Sequence, residues 1–160
     1  MRTNLVTPTL MCQAFLPMLR SRQGILLNVG STFGSIGYPG FTGYCASKFG
    51  LRGYTEALAR EESDSGLQVL YAAPRATRTA INSQAVDQLN ASLGQGVDSP
   101  EQVAADIVGQ LRRGSRRLYI GFPERLFVVL NALIPSLVDR ALGGKLARIK
   151  TFFTARRAEA

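Results

Sequence analysis

The chain has 160 residues, 46% of them hydrophobic, which is enough for one globular domain with a sizeable core. It contains no histidine, so Ser-His-Asp and Cys-His nucleophilic chemistry are excluded, and acid–base work must fall to a carboxylate, a tyrosine, a lysine or a thiol. The net charge of +8 is unevenly placed: residues 1–106 hold eight basic and eight acidic side chains, residues 107–160 eleven and three, so the surplus points to an anionic surface partner for the last third.

Met1 to Leu19 faintly imitates a signal peptide, but Pro8 and Pro17 interrupt it and no small-residue cleavage site follows. Apolar residues at 5, 6, 10, 11, 15, 16 and 19 instead have helical spacing. Ile25–Val29, bounded by Gly24 and Gly30, predicts a buried parallel strand. Residues 30–43 hold five glycines and a proline and predict a loop. A helix is expected from Tyr44 to about Glu62, and Leu67–Ala72 reads as a second strand. Residues 75–98 are polar without a clear period. Ser99, Pro100 and Gln102 then form a helix-start signal, and Gly114 closes that helix. Leu118–Ile120 is a third short strand, and Pro123 opens a final apolar helix running through Leu126–Val138. The alternation predicts an α/β fold: a partial Rossmann-like, doubly wound parallel sheet with helices on both faces. Two regions are expected, 1–122 as the sheet domain and 123–160 as a basic, apolar C-terminal helix and tail. The two cysteines, Cys12 and Cys45, lack metal or redox spacing and fit free thiols in a reducing, cytoplasmic setting.

Tyr44 and Lys48 lie four positions apart at the start of a helix, hence on one face and one turn apart. An ammonium beside a phenol favours the phenolate, and the helix N-terminus acts in the same sense, so the Tyr44 pKa is expected to fall. Such a tyrosine can donate a proton to a carbonyl oxygen or remove one from an alcohol. Ser31, in the preceding loop, could hydrogen-bond the same oxygen.

The stretch Asn28-Val-Gly-Ser31, then Tyr38-Pro-Gly, then Tyr44-Cys-Ala-Ser-Lys48 resembles the short-chain dehydrogenase/reductase family, including the thirteen-residue step from the serine to the tyrosine. The resemblance runs from about Asn4 to Phe122 and implies an NAD(P)-dependent oxidoreductase interconverting a carbonyl and an alcohol. It implies Tyr44 as general acid/base and Lys48 as its tuner and ribose ligand. It further implies Ser31 orienting the carbonyl, Asn4 completing a proton relay through water, and Pro74 and Thr79 bordering the nicotinamide. Residues 75–98 fall where the family places its substrate loop. Epimerases and dehydratases of the extended branch share Tyr-x-x-x-Lys, but the match at Asn4 and the short C-terminal region point away from them.

Two departures stand out. The family's Gly-rich phosphate turn, Thr-Gly-x-x-x-Gly-x-Gly, and its Asn-Asn-Ala-Gly are absent from these residues, so only the C-terminal half of the family's domain is represented. The expectation is a fragment that leaves the Asn28 strand edge open, binds NAD or NADP poorly and turns over little or nothing alone. Arg75 replaces the usual glycine after Pro74; a solvent-exposed variant and a cation for an anionic ligand are both open. For residues 122–150 the expectation is a helix packed on the sheet or on a dimer partner, with its cations as a rim. The competing reading is a helix lying in an anionic membrane surface, which would suit a hydrophobic carbonyl substrate. The rival to the enzyme reading is a non-catalytic remnant acting as a membrane-surface or partner-binding module. Nucleic acid is not expected as a partner, and a homo-oligomer is.

Overall fold

The computed structural model describes residues 1–79 and 84–158. Three apolar runs form strands β1 (Ile25–Val29), β2 (Gln68–Ala73) and β3 (Arg117–Tyr119), all parallel, in the spatial order β1-β2-β3. The pairing of Asn28 with Tyr71 and of Tyr71 with Arg117 aligns the strands so that β1 and β2 end together. Side chains alternate between faces along a strand, yet five consecutive residues of β2, Val69 to Ala73, are all buried. Both faces of the middle strand are therefore covered, as a parallel sheet requires. The outer edge of β1 has no partner strand among the described residues.

A π-helical turn, Arg2–Val6, leads into α1 (Thr7–Ser21), which runs through Pro17. With α2 (Thr42–Glu61), α1 covers one face of the sheet: Cys12, Leu26, Leu58, Leu67 and Val69 form a buried cluster, with Leu16, Leu19 and Tyr54 against it. A polar link runs through this layer. The Asn28 amide donates to Thr55 Oγ1 at 3.0 Å and accepts from Cys12 Sγ at 3.6 Å, and so fixes both helices to β1. At the far end Arg20 grips the buried Glu62 carboxylate through its Nε (3.0 and 2.8 Å) and Nη2.

Residues 75–98 are not wholly irregular. They contain α3 (Gln84–Ser92), with Leu89 buried; residues 80–83 of this segment lie outside the described residues. Helix α4 (Pro100–Arg113) starts and ends as its sequence requires: Ser99 Oγ accepts the Gln102 amide, and Gly114 adopts the left-handed conformation (φ 65°). Buried Gln110 ties α4 to the sheet by donating to the carbonyls of Tyr71 and Ser115.

The apolar C-terminal run is two helices where one was expected: α5 (Glu124–Leu133) and α6 (Pro135–Gly143). Pro135 lacks an amide and pushes the preceding residue out of the helical region, and Ile134 sits at φ −138°, ψ 70°. Their inner residues, Val128 and Val138, pack with Ile36 of the loop after β1. The final helix α7 (Leu146–Ala158) buries Ile149 against Tyr38 and Cys45, so the C-terminal segment is clamped onto that same loop.

Candidate active site

The loop leaving β1 is strapped to the end of β2. The Gly30 amide donates to Ala72 O (2.7 Å), and that of Thr32 to Pro74 O (3.0 Å). Between them Ser31, in extended conformation, caps a short 3-10 turn (Thr32–Gly34), its Oγ accepting the Phe33 amide at 3.2 Å. Gly30 and Gly34 are required by contact: a Cβ at Gly30 would stand 2.1–2.4 Å from the Tyr71 ring, and one at Gly34 2.8 Å from both Lys48 O and Tyr71 Oη. Tyr71 is itself fully buried, its hydroxyl donating to Ser31 O at 3.4 Å, and burial pushes its pKa up to about 12.

Tyr44 enters from the first turn of α2, and Phe33 holds its ring edge-on at 6.3 Å. Lys48 Nζ lies 5.8 Å from the centre of the Tyr44 ring and donates to Val29 O at 3.2 Å. Ser31, Tyr44 and Lys48 thus converge where β1 ends. The expected electrostatics differ. Burial pushes the Tyr44 phenol up, opposed by the nearby Ser31 hydroxyl, and burial pulls the Lys48 ammonium down. Burial is the larger cause for both groups.

Asn4 lies in the π-helical turn, where Leu5 and Val6 both donate to Met1 O (3.0 and 3.4 Å). Leu5 Cδ2 packs onto Gly50, where a Cβ would come within 2.8 Å, so this turn rests on α2 two residues beyond Lys48. The Pro74 carbonyl accepts the Thr32 amide beside Ser31, and Thr79 is exposed. Arg75 follows neither of the readings open to it. Its guanidinium forks onto Asp98 (3.0 and 2.6 Å) and donates to Glu124 (3.2 Å) and Phe122 O (3.1 Å), within a shell left open by Gly96 and Gly121. Phe33 and the Val29 carbonyl were not apparent from sequence, because a lone loop phenylalanine and a backbone oxygen carry no pattern.

The donor set suits the nicotinamide-ribose end of a dinucleotide. An ammonium has three protons, one of which is used on Val29 O, leaving two for ribose hydroxyls. No group of histidine, cysteine or carboxylate side chains among the described residues could hold a metal ion.

Comparison with known proteins identifies the family and the fold. The family described as short chain dehydrogenase matches residues 1–90. The SadH protein of Mycobacterium tuberculosis is 30% identical over 85% of this chain and 54% of its own length. The 3-oxoacyl-[acyl-carrier-protein] reductase FabG of Vibrio cholerae is 34% identical over 83% of this chain and 53% of its own. A short chain dehydrogenase from Burkholderia cenocepacia, solved with NADP, superposes with a TM-score of 0.68 at 22% identity, covering 82% of this chain and 52% of that one. The chain therefore spans about half the length of these relatives, and it belongs to the short-chain dehydrogenase family.

Proposed function

We propose that these residues form the carbonyl-handling half of an NAD(P)-dependent oxidoreductase that interconverts a small carbonyl compound and its alcohol. The observation that carries this is the convergence of Ser31, Tyr44 and Lys48 at the end of β1. A bound nicotinamide supplies the hydride. Ser31 Oγ and Tyr44 Oη bracket the carbonyl oxygen, and Tyr44 delivers its proton there as charge develops. Burial raises the Tyr44 pKa and so keeps the phenol in the form that donates. Lys48 holds the ribose, and Asn4 passes the replacement proton through water. Pro74 and Thr79 flank the nicotinamide, and the 75–98 segment covers the substrate. In its intact form the protein works as a homo-oligomer in the cytoplasm.

The adenosine and pyrophosphate end has no Gly-rich turn in these residues to receive it. The test uses reduced nicotinamide mononucleotide, which lacks that end, with a panel of ketones and aldehydes. The expectation is slow alcohol formation by the 160-residue chain, no faster with NADPH than with the mononucleotide, and reduced about 100-fold or more in Tyr44→Phe. Unchanged turnover in Tyr44→Phe would overturn the reading; efficient turnover with NADPH would overturn only the expectation that these residues cannot receive the adenosine and pyrophosphate end.

A second reading has its own observation. Helices α5 and α6 expose Leu126, Val129, Leu133, Ile134 and Leu137 beside the exposed Arg125 and Arg140, a combination suited to an anionic membrane surface. No helix among the described residues is long and apolar enough to cross a membrane, so such contact would be peripheral.

A further inference from the structure

Tyr71 stands in the middle strand, paired with Asn28 on one side and Arg117 on the other, and is only 1% exposed. Its phenol reaches the loop that carries the chemistry, although Tyr71 is not one of the Ser31, Tyr44 and Lys48 set. The hydroxyl donates to Ser31 O at 3.4 Å, an oxygen that also accepts the Gly34 amide at 2.9 Å. A Cβ on Gly30 would fall on that hydroxyl, and one on Gly34 would lie 2.8 Å from both it and Lys48 O. The phenol oxygen therefore occupies room that residues 30 and 34 leave by having no side chains, where the turn packs on the backbone of Lys48.

Space alone does not call for that oxygen. Phenylalanine would fill the same core with no polar atom to desolvate, and a buried hydroxyl costs stability unless it finds an acceptor. Here the acceptor is the carbonyl of the residue whose side chain is read as orienting the substrate. Tyr71 is firmly restrained itself: its ring meets Tyr119 edge-on at 6.4 Å, its amide donates to Arg116 O at 2.9 Å, and its carbonyl accepts Gln110 Nε2 at 3.0 Å. The turn around Ser31, flanked by Gly30 and Gly34, has little stiffness of its own. Ser31 Oγ accepts the Phe33 amide at 3.2 Å, which leaves its single proton for Tyr44 or a substrate oxygen, in a direction set by the backbone at Ser31.

We propose that Tyr71 is a positioning residue for the carbonyl site: through its hydrogen bond to the Ser31 carbonyl it holds the turn that aims Ser31 Oγ. The effect on turnover rests on the reading of Ser31 given above; the hold on the turn does not.

The test is Tyr71→Phe in the 160-residue chain, which removes one oxygen and keeps the ring. Amide hydrogen exchange followed by NMR should quicken about fivefold or more at Phe33 and Gly34, whose amides donate to Ser31, relative to Leu58 and Ile107 within α2 and α4. A general loss of stability would instead quicken all four together. In turnover of a ketone with reduced nicotinamide mononucleotide, kcat should fall about tenfold with KM for the mononucleotide unchanged. After Ser31→Ala, adding Tyr71→Phe should cost nothing further, because the two act through one hydroxyl. Equal quickening at all four amides, or a Tyr71→Phe loss that persists in full after Ser31→Ala, would overturn the proposal. Ser31→Ala turning over as well as the parent chain would sink the reading of Ser31 alone; then, or if the parent shows no turnover, the exchange pattern decides whether Tyr71 holds the turn. Should Tyr71→Phe fail to fold, the unaltered chain decides. Its Tyr71 hydroxyl proton, read through the deuterium isotope shift on tyrosine labelled with carbon-13 at Cζ, is expected to exchange slowly, and a freely exchanging proton would refute the hydrogen bond and the proposal with it.

Discussion

At Tyr44, burial raises the phenol pKa even though an ammonium stands one helical turn away. Sequence spacing places Lys48 near the ring but does not say that Nζ will also donate to Val29 O. The motif positions Ser31, Tyr44 and Lys48 were legible because their spacing is rigid: a capped loop and one helical turn. Arg75 was not, because its partners Asp98 and Glu124 lie 23 and 49 residues further along the chain. Glu62 offers a clean test at this scale. Hydrogen bonds from Arg20 and Ser65 hold its pKa at about 2, below the roughly 4.3 of an unfolded glutamate. A depressed carboxylate contributes stability above its unfolded pKa and loses it as pH falls toward the folded one. Thermal denaturation of Glu62→Gln should therefore show a lower melting temperature than the parent at pH 7, with the gap closing between about pH 4.3 and pH 2. A gap that is constant with pH would show that the ion pair is not the cause.

Among the elements, the loop between β1 and α2 depends on absent side chains. Gly30→Ala would drive a methyl into the buried Tyr71 ring, which has no free space in which to turn. The expected cost is about 1–3 kcal/mol, a fall of roughly 3–10 °C in melting temperature by differential scanning calorimetry. An unshifted transition would mean that the ring can retreat. Strands, α1, α2 and α4 were readable because their apolar periods and caps are local signals, as at Ser99 and Gly114. Helix α3 was hidden in a polar stretch whose apolar residues, the buried Leu89 among them, show no clear period. The break between α5 and α6 could have been read from Pro135, whose effect on Ile134 is local; the dense apolar run around it masked that signal.

For the molecule as a whole, charge and exposed apolar surface fall on the same segment. The basic surplus lies beyond residue 106, and there Leu133 and Phe122 are 73% and 71% exposed. If this face meets anionic lipid, the chain should float with vesicles containing phosphatidylglycerol and not with pure phosphatidylcholine, and Leu133→Asp with Ile134→Asp should abolish flotation. Failure to float with either vesicle retires the membrane reading. The expectation for this region is packing on the sheet or on a dimer partner; in the structure Val128 and Val138 pack with Ile36 of the loop after β1, and the outer face is exposed.

Arg75 reaches across that architecture, joining the end of β2, the segment before α4 and the first turn of α5 through one guanidinium. Its side chain occupies the room that Gly96 and Gly121 leave vacant, so the three positions form a single steric unit. Restoring the glycine common in the family at position 75 would open a hole and strand two carboxylates together. Drift at this corner is thus confined to concerted changes, and any loosening here must carry strand, loop and helix with it.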